Sequence, residues 1–113
     1  MTIAERAAAL DALYAEIPEV ECKGFCADSC GPFPPYPAEL QRLLYEVGSA
    51  PSVEHWTCPL LVNGRCRAHA IRPLLCRLWG VVDGMPCEWG CKPARRYTNA
   101  EAHALAARVE AVA

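Results

Sequence analysis

Residues 58–79 read CPLLVNGRCRAHAIRPLLCRLW, and the fold turns on what this stretch becomes. The run Pro59-Leu60-Leu61-Val62 meets Asn63-Gly64, and Arg65-Cys66-Arg67 returns from it. Asn-Gly is a strong two-residue turn signal because both central positions need positive φ, so a hairpin is expected over 58–67. Such a hairpin brings Cys58 and Cys66 to opposite strands near its open end. A short helical turn is expected over 72–79, with Pro73 at its first position, where a missing N–H costs little. That segment adds a third thiol, Cys76.

Further cysteines flank the stretch. Upstream stands a C-x3-C-x3-C run of Cys22, Cys26 and Cys30, and downstream Cys87-x3-Cys91, giving eight in 113 residues. Three uses are open: four disulfides, ligation of a metal or cluster, or inert core residues. Disulfides persist in oxidising compartments, and the start Met1-Thr2-Ile3-Ala4-Glu5-Arg6 lacks the basic head and apolar run of an export signal. A cytoplasmic location is therefore expected. Core cysteines should follow an apolar periodicity, whereas Cys22, Cys26, Cys30, Cys87 and Cys91 lie in non-periodic sequence rich in Pro and Gly. Ligation of a soft metal is the preferred reading.

On a regular helix Cys22 and Cys30 would stand about 12 Å apart along the axis. Thiolates around one zinc lie only about 3.8 Å apart, given a Zn–S bond of about 2.3 Å. The first group can share a centre only if its segment curls, which Gly24 and Gly31 permit. The spacings differ from the C-x2-C knuckles of zinc fingers, from the C-x3-C-x2-C of radical enzymes and from a C-x2-C redox pair.

The rest of the chain frames this region. Of the 53% hydrophobic residues many are Ala, and 10 Pro and 7 Gly interrupt the sequence, so the core is thin. Thr2 with Glu5 forms a capping-box pattern, opening a helix to about Ile17 whose apolar stripe is Ile3, Leu10, Leu13, Tyr14 and Ile17. A second helix is expected from Pro37 through Leu40, Leu43, Leu44 and Val47 to a Gly48 cap. Val81 to Met85 suggests a turn. Thr98 with Glu101 repeats the capping box and opens a last helix carrying Ala102, Leu105, Val109 and Val112. The expected fold is a single domain over 1–113: a small, α-rich, irregular, metal-stabilised α+β unit. Helices at both ends flank a cysteine-cluster region over 22–93. No apolar run approaches the roughly 20 residues a membrane span needs. The modest net charge of −2 argues against disorder.

Charge is unevenly placed. Residues 1–57 carry three Lys/Arg against nine Asp/Glu, while 58–97 carry seven Lys/Arg against Asp83 and Glu88. A dication or a [4Fe–4S]²⁺ core held by four thiolates keeps two negative charges. Cations such as Arg72 and Arg77 would stabilise it and lower the thiol pKa values. The overall acidity and the lack of a recognised motif argue against nucleic acid as a partner. A protein partner remains open.

Cys58-Pro59-Leu60-Leu61, Gly64-Arg65-Cys66 and Arg72-Pro73-Leu74-Leu75-Cys76-Arg77-Leu78 together resemble the YkgJ-like cysteine-cluster family. That family is described as a zinc- or iron-chelating domain, with a C-x2-C-x2-C-C cluster followed by C-P-x-L, G-x-C and R-P-x-x-C-R segments. The similarity covers roughly residues 22–93. The first cluster departs from it, with x3 spacings and no Cys-Cys pair. The resemblance implies a metal or iron–sulfur protein and leaves stoichiometry open, with Cys87 and Cys91 either replacing missing ligands or building a second site.

Eight thiolates suit two four-coordinate centres, or one centre and four spare cysteines. The preferred partition joins Cys22, Cys26, Cys30 and Cys76. Arginines and apolar neighbours such as Phe25, Leu75 and Trp79 would shield a cluster, which favours [4Fe–4S] over Zn²⁺. Its role would be structural or electron-transferring. Structural zinc in a regulatory or partner-binding module is the alternative. His55 and His69 are further candidate ligands, and His103 reads as a surface residue. Beyond the ligands no reaction constellation is present, so no substrate is assigned. The enzyme class consistent with such a centre is an iron–sulfur oxidoreductase.

Overall fold

The computed structural model describes residues 1–20, 34–50, 58–63, 65–87 and 90–112. Helix α1 spans Ile3–Tyr14. Thr2 caps it, its Oγ1 accepting from Glu5 N at 3.0 Å, which satisfies one of the donors a helix start leaves open. The expected end at Ile17 is approached by tightened turns, Glu16 N to Leu13 O and Ile17 N to Tyr14 O, before Pro18 closes the segment. Helix α2 spans Pro37–Glu46, and Gly48 beyond it takes φ +80, the left-handed stop a glycine adopts without a Cβ penalty.

The hairpin forms as expected, with strands β1 (Leu61–Val62) and β2 (Arg65–Cys66) antiparallel. Asn63 has φ 52, as a two-residue turn of this kind demands. The register pairs Leu61 with Cys66 and Val62 with Arg65. Cys58 is therefore not Cys66's partner across the ladder. It lies in the turn before β1, its carbonyl accepting from Leu61 N at 3.0 Å.

A 3₁₀ turn at His69–Ile71 leads into helix α3, Leu74–Leu78, with Pro73 as its N-cap, so the helix starts one residue later than expected. The chain then turns through Val81–Met85 and pairs Val82 with Tyr97 in a parallel bridge. Helix α4, Asn99–Glu110, starts with the full reciprocal capping box of Thr98 and Glu101.

Two apolar clusters hold these parts together. The larger buries Leu10 and Tyr14 of α1, Leu74 and Leu78 of α3, Val81, Val82 and Tyr97, and Leu105 and Val109 of α4. Each fully buried Leu or Val contributes about 1.5–3 kcal/mol. The smaller joins Leu43 of α2 to Cys58, Leu60 and Ala68. The architecture is a small α-rich α+β domain with a radius of gyration of 13.7 Å.

Of the three leucines of α2 only Leu43 is buried. Leu40 and Leu44 are exposed, and Glu39 and Arg42 are buried instead. Glu39 is 2% exposed and accepts three hydrogen bonds: from Tyr36 N at 3.0 Å, from Leu74 N at 2.5 Å and from the Tyr14 hydroxyl. One carboxylate thus caps α2, caps α3 and fixes α1. Arg42 forks onto Asp11 of α1 at 2.8 and 3.2 Å. Among the described residues no helix is long and apolar enough to cross a membrane.

Candidate metal centre

Cys76 sits in the middle of α3, and a helix of five residues cannot hold itself in water. It is fixed from outside. Glu39 satisfies its first N–H, and Leu74 and Leu78 anchor its inner side in the larger cluster. Arg77 holds the other side: Nε donates to Arg72 O at 2.7 Å and a terminal nitrogen to Ala70 O at 3.0 Å. Its guanidinium also lies 3.9 Å over the Tyr14 ring centre, a cation–π contact that ties α3 to α1. Arg72 donates to His69 O at 2.8 Å. Arg72 thus closes the 69–72 turn on itself, and Arg77 fastens that turn to α3, beside Cys76.

Gly80 follows α3 with φ +81, and a Cβ placed there would stand 3.2 Å from the Cβ of Cys87. The turn folds back closely, so a side chain at Gly80 would press on Cys87 as well as strain the left-handed backbone; Gly80 N donates to Met85 O at 2.6 Å within it. Cys87 O then accepts from Gly90 N at 3.2 Å, and Gly90 (φ +81) delivers Cys91. Two residues on, Pro93 bridges antiparallel to Val20, supported by Ala94 N to Glu19 O at 2.7 Å.

Cys58 and Cys66 occupy a different place. Cys58 is buried in the smaller cluster and Cys66 packs half-buried against it. The described thiols therefore fall into one pair under the hairpin and three along the α3–Pro93 path. No two of the five are joined by a disulfide. Among the described residues no three His, Cys, Asp or Glu side chains form a group able to hold a metal ion. Thiolates are the right donor type for zinc or an iron–sulfur cluster, but these five do not complete a site by themselves. Cys22, Cys26 and Cys30, with His55, lie outside the described residues, as does the partition that joins the first three to Cys76. His103 is exposed on α4, as expected of a surface residue.

Electrostatics around the α3 turn are positive. Burial, then the charges of Arg72 and Arg77, push the His69 pKa below its ordinary value. Burial, then Arg72, lowers that of Arg77. Tyr14 moves far upward, because burial and the facing Glu39 carboxylate both oppose its ionisation. A surface cleft of about 400 Å³ between Glu16, Arg95, Tyr97 and α4 contains no cysteine, and its charged groups already pair, Arg108 with Glu16 at 2.6 Å and Arg95 with Glu101 at 3.2 Å.

The residue that sequence reasoning missed is Glu39. The available signal was Pro37 at the first helical position with Glu39 two residues later, where an acidic side chain reaches back to the cap N–H. No protein-family model matches the chain, and no curated protein or solved structure is significantly similar to it.

Proposed function

We propose that the chain is a metal-binding cysteine-cluster protein of the YkgJ-like kind. Its cysteine thiolates hold an inorganic centre, preferably [4Fe–4S], in a structural or electron-transfer role. The observation that carries this is the placement of the thiols: Cys76, Cys87 and Cys91 follow one another along a path fixed by glycine turns and external caps. The Val20–Pro93 bridge adds support. Cys91 stands two residues from Pro93 and Cys22 two residues from Val20, within about 7 Å of chain each. A centre drawing on both segments would cross-link parts distant in sequence and stabilise a domain whose core is thin.

Arg72 and Arg77 would supply the counter-charge for the two net negative charges of a four-thiolate centre. Their hydrogen bonds to the 69–72 turn carbonyls hold that charge in place. When bound, a cluster would supply one-electron chemistry, whereas zinc would supply structure alone. A structural zinc site held by the same thiolates is the second reading.

Anaerobic purification with analysis of iron, zinc and acid-labile sulfide tests both. Iron and sulfide in equal amounts, with a visible band that bleaches on reduction, support the cluster. Zinc without sulfide, in a colourless protein, supports the alternative. Less than one equivalent of either metal, or four cystine bridges, overturns both.

A further inference from the structure

The described arginines differ in what they hold. Arg42, Arg95, Arg96 and Arg108 each reach a carboxylate, of Asp11, Glu101, Asp83 and Glu16 in turn. Arg65, Arg67, Arg72 and Arg77 reach none among the described residues, and the sequence has no Asp or Glu between Glu54 and Asp83. The donors of Arg67, Arg72 and Arg77 go to backbone carbonyls instead. Arg72 is held to His69 O at 2.8 Å, and Arg67 approaches Val47 O at 3.4 Å, at the C-terminal end of α2.

Strand alternation places the hairpin residues. Cys66 packs against the smaller cluster, so Arg65 and Arg67 on either side of it face outward. Val62, paired with Arg65, is 45% exposed. Leu44, one helical turn before Val47, is 52% exposed. Cations without carboxylate partners thus stand among exposed aliphatic side chains at the join of α2 and the hairpin.

We propose that this face, Arg65 and Arg67 with Val62 and Leu44 beside them, docks an acidic segment of a protein partner that carries apolar residues among its carboxylates. Charge complementarity selects the sign. Guanidinium forks match carboxylates bidentately, and the contact of Arg67 with Val47 O reduces the freedom that side chain loses on binding. The aliphatic side chains select protein over nucleic acid, whose backbone offers them only phosphate and sugar. A chain of net charge −2 also repels a long polyanion. This surface does not depend on the metal reading.

The test is fluorescence anisotropy of the purified full chain with a labelled peptide of Glu and Leu. Its Gln-for-Glu counterpart and an oligothymidylate of equal charge serve as comparison probes. The acidic peptide is expected to bind best and to weaken as salt rises. Arg65→Glu with Arg67→Glu is expected to weaken it by about tenfold or more. Leu44→Ser should weaken it less, and Arg95→Glu with Arg96→Glu, the same charge change on two exposed residues outside this face, should leave it unchanged. Circular dichroism shows whether each variant keeps its helices. Equal binding of the Gln peptide, tighter binding of the oligothymidylate, no binding, self-association that displaces the peptide, or insensitivity to the paired arginine change overturns the proposal.

Discussion

Glu39→Gln is the substitution that most sharply probes how this small fold is held. The Glu39 carboxylate accepts from Tyr36 N on one oxygen, and from Leu74 N and the Tyr14 hydroxyl on the other. Glutamine has the same shape but a single acceptor oxygen. Turned toward Tyr36, it sets an NH2 group against the Leu74 N–H. Turned the other way, it sets that group against the Tyr36 N–H. One backbone donor is orphaned in either rotamer, the buried Leu74 N or the part-buried Tyr36 N, at a cost of about 1–3 kcal/mol. Losing the charge from the remaining bonds adds about 1 kcal/mol. The expected loss is about 2–4 kcal/mol, a large share of the roughly 5–15 kcal/mol available to a domain. The melting temperature should fall on the order of 10 °C. Tyr14→Phe removes one donor and leaves the carboxylate two partners, so it should cost only about 1 kcal/mol. The assay is urea unfolding followed by far-ultraviolet circular dichroism, under anaerobic reducing conditions and at equal metal content. A Glu39→Gln protein within about 0.5 kcal/mol of wild type would refute the capping role.

Three further outcomes are expected. Gly80→Ala forces a side chain into a left-handed backbone and against the Cys87 Cβ at 3.2 Å, so it should cost about 1–3 kcal/mol and lower metal content per chain. Gly48→Ala carries the same backbone penalty at φ +80 with nothing within 4 Å, and should leave metal content unchanged; equal metal loss in both variants would remove Cys87 from the site. Stability should fall above about pH 10, where unfolded tyrosine ionises. Tyr14, Tyr36 and Tyr97 are all raised in the folded state, each first by burial, so the folded chain keeps protons that the unfolded chain releases. Urea midpoints that stay flat between pH 8 and 11 would contradict this. Stripping the centre with a strong chelator should unfold residues 22–93, and an apo protein with unchanged near-ultraviolet circular dichroism would count against metal-dependent folding.

What the sequence made legible was local. The Thr2 and Thr98 caps, the Gly48 stop and the Asn63 turn each depend on residues within a few positions, and each formed where expected. The buried face of α2 was not legible, because Glu39 and Arg42 are satisfied by Tyr14, Leu74 and Asp11, 25 to 35 positions away in sequence. By polarity alone Leu40 and Leu44 should have faced inward. The thiols were legible as a chemical type but not as a grouping. The hairpin register sets Leu61, rather than Cys58, opposite Cys66, and the Val20–Pro93 bridge is a long-range pairing that no local pattern announces. Arg72 and Arg77 were read as cations near a centre. The structure adds that both are bound to turn carbonyls, an arrangement that only the folded turn creates.

X-ray absorption at the iron and zinc edges of the anaerobically isolated protein probes the ligation itself. Four sulfur neighbours at about 2.3 Å around whichever element is present are the expected result, with a short iron–iron distance if that element is iron. A first shell of oxygen and nitrogen alone, or no absorbing metal in a chain whose thiols remain reduced, would contradict thiolate ligation.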